Sequence, residues 1–439
     1  MGDFYQNGII TTLHNLCRRP VEELEHELMG FRKERPMSLV LPSLYSELEG
    51  PALKNIVKEL AKVPYLEQIV IGLDRANEQE YRHALEYFSE LPQHVRVLWN
   101  DGPRLKALDL QLREQNLAPT EMGKGRNVWY CFGYVLASGK SKSVALHDCD
   151  ILTYSRDLVA RLIYPVANPG FNYMFCKGYY ARVADGKMNG RVSRLLVTPL
   201  IRALKKVCGP SDFLDYLDSY RYPLAGEFSF RTDVINDLRI PSDWGLEVGV
   251  LSEMKRNYAT NRLCQVDIAD TYDHKHQELS PEDASRGLSK MSTDISKALF
   301  RKLATNGEIF SNEKFRTIKA AYFRIALDFV ETYQSDAVIN GLSFDRHKEE
   351  KAVELFAQNV MRAGAYFLDN PMDTPFIPSW NRVTSAIPDI KQQLLEAVEL
   401  EHAQPLLRLE LARPVLDAHD EAGERDDALR ALAACVHGA

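Results

Sequence analysis

Ser143-Val144-Ala145-Leu146-His147-Asp148-Cys149-Asp150-Ile151 is the stretch on which the reading of this chain turns. An apolar run closes on two aspartates two positions apart. Both carboxylates then stand at a strand end, where they can converge on one divalent cation, directly or through water. Such a cation would hold the two phosphates of a nucleotide diphosphate. A bare Asp-x-Asp is a short pattern and is most often a solvated turn, so the surroundings carry the weight.

Upstream, strand and helix signals alternate. Ser38-Leu39-Val40-Leu41-Pro42 is an apolar run stopped by proline, and Leu53, Ile56, Val57, Leu60 and Ala61 follow at helical spacing. Gln68-Ile69-Val70-Ile71-Gly72-Leu73 is a second buried strand. Tyr81, Ala84, Leu85 and Phe88 mark a helix face, and Val95-Arg96-Val97-Leu98 is a third strand. A helix after Gly125 leads into the fourth strand at 143–147. This order predicts a mainly parallel sheet covered on both faces, with ligands at the carboxyl ends of its strands. Gly123-Lys124-Gly125-Arg126 stands at the start of that last helix. Glycines there let the backbone approach a ligand, and a helix N-terminus with a lysine favours an anion. The spacing is not that of a Walker A loop. Trp129, Tyr130 and Phe132 on the same helix read as core.

Downstream the pattern loosens. A strand is expected at 171–176, a helix through 193–206, helices over 279–332, and further helix over 350–403 interrupted by Pro371, Pro375 and Pro378. The divisions expected are an N-terminal segment (1–37), a first (38–165) and a second (166–305) half of one α/β domain, a helical region (306–403) and a tail, helical or frayed (404–439).

The 439 residues carry a net charge of −7, with 45% hydrophobic and 26% charged residues. That is ordinary globular composition and argues against a general nucleic-acid binder, while leaving room for a local basic pocket. No apolar stretch approaches the roughly 20 residues that span a bilayer. The first residues lack the basic start and apolar run of a signal peptide, so a soluble cytoplasmic protein is expected. Seven cysteines are scattered with no Cys-x-x-Cys pair, which indicates neither a zinc knuckle nor a disulfide framework.

Taken in order from about Ser38 to Leu303, these motifs resemble the retaining glucosyl-3-phosphoglycerate synthases. Leu41-Pro42-Ser43-Leu44 with Glu47 looks like that family's first-strand segment for the donor base and ribose. Gly123-Lys124-Gly125 is similar to its phosphate-side loop, and Asp148-Cys149-Asp150 to its metal motif. Gly190-Arg191-Val192-Ser193 resembles the segment that grips phosphoglycerate, with Ser193 where threonine is usual. Pro223-Leu224-Ala225-Gly226-Glu227 and Trp244-Gly245-Leu246-Glu247-Val248-Gly249 resemble two donor-sugar segments. Gln265-Val266-Asp267 followed by Asp273-His274-Lys275-His276 resembles a late segment whose histidine is a metal ligand. Three departures stand out: His276 replaces an asparagine, Gly72-Leu73-Asp74 lacks the usual Asp-Ser-Gly-Ser loop, and the region after about 340 has no counterpart in the short family members.

The resemblance implies an α/β protein of the GT-A type, with a mixed, mainly parallel sheet and a helical C-terminal extension. It implies glucose transfer from a nucleotide sugar, UDP-glucose, to 3-phosphoglycerate with retention, with Mg²⁺ or Mn²⁺ as cofactor and a homodimeric assembly. The site residues implied are Asp148, Asp150 and His274 for the metal, and Lys124 and Glu247 for catalysis. Pro42, Ser43, Leu44, Glu47, Asp74, Asp148, Ala225, Gly226, Trp244 and Glu247, again with Lys124, are implied for the donor. For the acceptor they are Gly190, Arg191, Ser193 and His276, with Arg194 and Lys187 near enough to share that role. Alternatives in the same fold are mannosyl transfer or glycerate as acceptor. A sugar-nucleotide pyrophosphorylase would want a Gly-x-Gly-x-Arg loop at the first strand, which Leu41-Pro42-Ser43-Leu44 is not, and a non-catalytic scaffold would leave the Asp-x-Asp, lysine and histidine idle.

Overall fold

A computed structural model describes residues 6, 8–17, 19–274, 287–373 and 376–403. Its centre is an eight-stranded sheet. The strands are β1 (Thr11–Leu13), β2 (Met37–Leu44), β3 (Leu66–Asp74), β4 (His94–Trp99), β5 (Ser143–Leu146), β6 (Phe175–Tyr180), β9 (Phe228–Arg231) and β11 (Leu263–Ala269). Two small pairs lie outside it: β7 (Val183–Ala184) with β8 (Lys187–Met188), and β10 (Ile240–Pro241) with β12 (Phe376–Ile377). The order across the sheet is β1-β11-β6-β9-β5-β2-β3-β4. Only β9 runs antiparallel to its neighbours, β5 and β6, so the sheet is mixed and mainly parallel.

Central strands such as Leu39-Val40-Leu41 and Ile69-Val70-Ile71 are fully buried, as expected of parallel strands covered on both faces. One core lies under the helices Val21–Phe31, Pro51–Leu60, Glu78–Phe88 and Arg156–Ala167. The other lies under Lys124–Ser138 and the C-terminal helices Gly287–Thr305, Asn312–Ile339 and Arg346–Asp369. Trp129, Tyr130 and Phe132 are buried in that second core. Trp129 stacks on Trp380 at 4.1 Å between ring centroids, which locks the C-terminal region onto the helix behind the Asp-x-Asp strand. Among the described residues no helix is long and apolar enough to cross a membrane.

Two boundaries differ from the sequence-based expectation. The first strand does not stop at Pro42 but continues to Leu44. Beyond Val40, β2 pairs with β3 and no longer with β5, so the N–H that proline lacks costs no bond to β5. The strand expected at 171–176 lies instead at Phe175–Tyr180, because pairing with β11 starts at Phe175 opposite Leu263. The helix expected through 193–206 is present as a π-helical turn, Val192–Val197, running into Thr198–Cys208. The interruption expected at the prolines is present between the Arg346–Asp369 and Trp380–Ala386 helices, where Pro371 and Pro378 lie; Pro375 is outside the described residues.

Candidate active site

Chain order sets where a ligand can sit. From β2 the sheet grows one way through β3 and β4, and the other way to β5. The carboxyl ends of β2 and β5 therefore flank the point where the order reverses, the place where open α/β sheets bind ligands. Pro42, Ser43 and Leu44 end β2, while His147 to Asp150 follow β5.

Lys124 opens the helix Lys124–Ser138, and its ammonium lies 2.7 Å from Asp148 and 3.4 Å from Glu247. Glu247 comes from the first turn of the helix Leu246–Asn257. Burial works against the charge on Lys124, but the two carboxylates outweigh it and hold the lysine protonated. Burial likewise opposes ionisation of Asp148, and the Lys124 ammonium overrides it, keeping that carboxyl below its usual value. Among the described residues Asp150 is paired with no lysine or arginine. Burial, then the charge of Asp148, push it up to about 7. His274 bridges to Ile151 by backbone pairing, which sets its Nδ1 3.6 Å from Asp150. His147 is fully buried and held neutral, its pKa pushed down to about 3 by burial.

The structure thus brings Asp150 and His274 together and turns Asp148 toward Lys124. Among the described residues, no three His, Cys, Asp or Glu side chains are already gathered around one point. The donor set still fits a divalent cation. Carboxylates with one imidazole suit Mn²⁺ or Mg²⁺, and an acid pushed up by its neighbour is the electrostatic condition that a cation relieves.

Glycine matters at two positions here. A Cβ on Gly226 would lie 2.4 Å from an Asp148 oxygen and 3.1 Å from the Lys124 ammonium, so the ion pair needs that glycine. A Cβ on Gly125 would lie 2.1 Å from the Pro241 carbonyl. Gly125 therefore serves close packing of its helix against β10 rather than ligand approach. Gly125→Ala is expected to lower stability by roughly 1–3 kcal/mol, the usual cost of overpacking, read as a lower Tm with donor and acceptor KM little changed.

Lys124, Asp148, Gly226, Trp244, Glu247 and His274 line one cavity of about 560 Å³. Gly190, Arg191 and Ser193 line the same cavity, and Leu288, Met291 and Ile295 give it an apolar wall. Gly190 has φ +74°, a left-handed turn that suits glycine, and it delivers Arg191 into the π-helical turn. Arg191 Nε donates to Glu349 at 2.7 Å, and Arg194 Nη2 donates to the other Glu349 oxygen at 2.9 Å. The Ser193 hydroxyl is buried and makes no hydrogen bond among the described residues. Such an orphaned group in the wall of a cavity suits a ligand oxygen.

Other expected site residues stand apart from this cavity. Ser43 is buried and donates to the Leu44 carbonyl, Ala225 is buried, and Glu47 lies in the turn Tyr45–Glu49. Asp74 is buried at the end of β3 and accepts from Asn100 Nδ2 at 2.7 Å; burial raises its pKa. His276 lies outside the described residues, as does 404–439. Arg194, with Nε on the Asn189 carbonyl and one Nη on Glu349, is part of the wall, whereas Lys187 lines the cavity.

The geometry also shows groups that sequence reading passed over. Glu227 is buried and accepts from Tyr180 and Tyr272, each at 2.6 Å, and those two rings stack at 3.6 Å beside His274. It stands inside the quoted Pro223–Glu227 segment, which was its only signal. Glu349 sits in Lys348-Glu349-Glu350-Lys351, which looks like a solvated helix face.

No family model matches the chain. The glucosyl-3-phosphoglycerate synthase of Persephonella marina is 48% identical over 399 residues, covering 91% of this chain and 98% of that protein. The chain belongs to the glucosyl-3-phosphoglycerate synthase family. It is therefore a glycosyltransferase. The glucosyl-3-phosphoglycerate synthase of Methanococcoides burtonii is 41% identical over 399 residues, 90% of this chain and 97% of that one. Matches of that length run past residue 340, so in these glucosyl-3-phosphoglycerate synthases the helical C-terminal region has a counterpart. A crystal structure of glucosyl-3-phosphoglycerate synthase from Mycobacterium tuberculosis, in complex with Mn²⁺, UDP-glucose and phosphoglyceric acid, is similar to this chain with a TM-score of 0.49. Its sequence identity is 19%, with 67% of this chain and 87% of that one covered.

Proposed function

We propose that this glycosyltransferase moves glucose from UDP-glucose to the 2-hydroxyl of 3-phosphoglycerate with retention at the anomeric carbon. The carrying observation is that one cavity is lined both by the Lys124–Asp148–Glu247 cluster and by Arg191 with Ser193. Asp150 and His274, with Asp148, would hold Mg²⁺ or Mn²⁺. The chemistry supplied there is neutralisation of charge on the departing diphosphate.

The chain's own residues account for the rest. Lys124 is held charged at the donor end, ready for negative charge that grows as the phosphate leaves. Glu247, fixed against Lys124, accepts hydrogen bonds from the sugar hydroxyls. The free end of the Arg191 guanidinium and the Ser193 hydroxyl orient the acceptor anion. No enzymic nucleophile is assigned. Attack from the face that the leaving group vacates lets the departing phosphate take the acceptor proton, so positioning supplies much of the rate.

A panel of UDP- and GDP-linked sugars against 3-phosphoglycerate and glycerate, with free nucleoside diphosphate and product anomer as readouts, tests this. Mannosyl transfer or equal use of glycerate would replace the specific reading and leave the transferase in place. Arg191→Ala is expected to raise the KM for 3-phosphoglycerate at least about tenfold, the worth of a charge-assisted hydrogen bond, with the donor KM little changed. The fold should survive, since Glu349 keeps its bond to Arg194. An unchanged preference for 3-phosphoglycerate over glycerate in this variant would remove Arg191 from the acceptor site.

A further inference from the structure

We propose that the first turn of the Arg346–Asp369 helix is an acceptor-binding element, in which Lys348 contacts the acceptor's anionic group and Glu349 positions Arg191 for it. The inference rests on the reading of the reaction given above.

Glu349 is buried, and its two oxygens are used by two arginines three residues apart. Arg194 is itself immobilised: Nε donates to the Asn189 carbonyl at 2.8 Å, Nη2 reaches the Met188 carbonyl at 3.2 Å, and the guanidinium lies over the Tyr333 ring at 4.8 Å. A carboxylate fixed on that side holds Arg191 by its Nε edge. The two Nη groups of Arg191 have no protein partner among the described residues, so the fork is left for a ligand.

Lys348 precedes Glu349 and lines the same cavity as Arg191. Its neighbours Arg346 and Lys351 are paired along the helix with Glu350 and Glu354, both at 2.8 Å. Lys348 makes no ion pair among the described residues. Its backbone is nevertheless fixed. Lys348 N donates to Asp345 at 3.0 Å, and Ser343 N donates to the Gly186 carbonyl at 2.8 Å, tying the helix start to the β7–β8 hairpin that carries Lys187. Arg182, Lys187, Arg191 and Lys348 all line the cavity; of its acids Asp148 and Glu247 are paired with Lys124, which leaves Asp185, and the charge of Glu349 is already shared by two arginines. Excess positive charge in a partly enclosed site suits a small ligand bearing both a phosphate and a carboxylate.

Kinetics and calorimetric binding of 3-phosphoglycerate, on the full chain with Mn²⁺ and UDP, test the proposal. Lys348→Met is expected to raise both the acceptor KM and its Kd at least about fivefold, one partly screened charge contact. The kcat and donor KM should stay within about twofold, and Lys348→Arg should restore most of the loss. Glu349→Gln should raise the acceptor KM while sparing the donor KM. Lys351→Met, the same charge change on the paired side of the helix, should do neither. An acceptor KM unmoved by Lys348→Met, or moved equally by Lys351→Met, overturns the proposal; so does a Glu349→Gln effect shared equally by donor and acceptor. If wild-type protein binds 3-phosphoglycerate through Lys348 but never glucosylates it, the anion site stands and the assigned reaction falls. Glucosylation indifferent to Lys348→Met leaves the reaction and removes the site; no binding and no turnover removes both.

Discussion

Asp150→Ala abolishes turnover, lowering kcat by at least about 10²–10³, the scale of losing a preorganised charge at the leaving group. Of the two motif aspartates, Asp150 is the one that among the described residues pairs with no lysine or arginine and is set against His274. His274→Ala should behave alike, since it removes the other half of that pair. Asp148→Ala should act more on donor binding, because Asp148 is engaged by Lys124. The measurement is steady-state transfer across a Mn²⁺ titration, with circular dichroism to show that the fold is intact. A pH series adds a sign. An acid pushed up to about 7 must lose its proton to bind a cation, so metal affinity in the wild type should rise as pH increases through that value and level off above it. Near-normal activity of Asp150→Ala in EDTA would sink the metal-site reading.

Lys124→Ala gives the second large effect, a fall in kcat of about 10²–10³ with smaller changes in either KM. Its ammonium is the shared partner of Asp148 and Glu247. Removing it takes away the positive charge proposed to face the departing phosphate and leaves two half-buried carboxylates to repel each other, so the Tm should fall as well. Lys124→Arg keeps the charge but not the compact point geometry, and should recover stability better than rate. A change confined to the acceptor KM would assign Lys124 to the acceptor instead of the donor.

What local chemistry could dictate, the sequence alone determined. Apolar runs of strand length between helical spacings set the alternation from Ser38 to Leu146, because burial on both faces of a parallel sheet demands it. Lys124 at a helix start and the aspartates at a strand end followed from the same pattern. Both lie within a few residues of the element that positions them.

Pairing between residues far apart in the chain was decided only by the tertiary structure. β9 runs against its neighbours, the strand expected at 171–176 is displaced to Phe175–Tyr180 by its register with β11, and Pro42 is tolerated because β5 has already ended. Asp150 meets His274 through a bridge across more than a hundred residues, and Arg191 meets Glu349 across still more. On its own segment Glu349 is one acid among charged helix residues, with the same spacing it would have if solvated. Burial and its two arginine partners make it a positioning group, and both come from packing of one helix on another, which no local periodicity encodes.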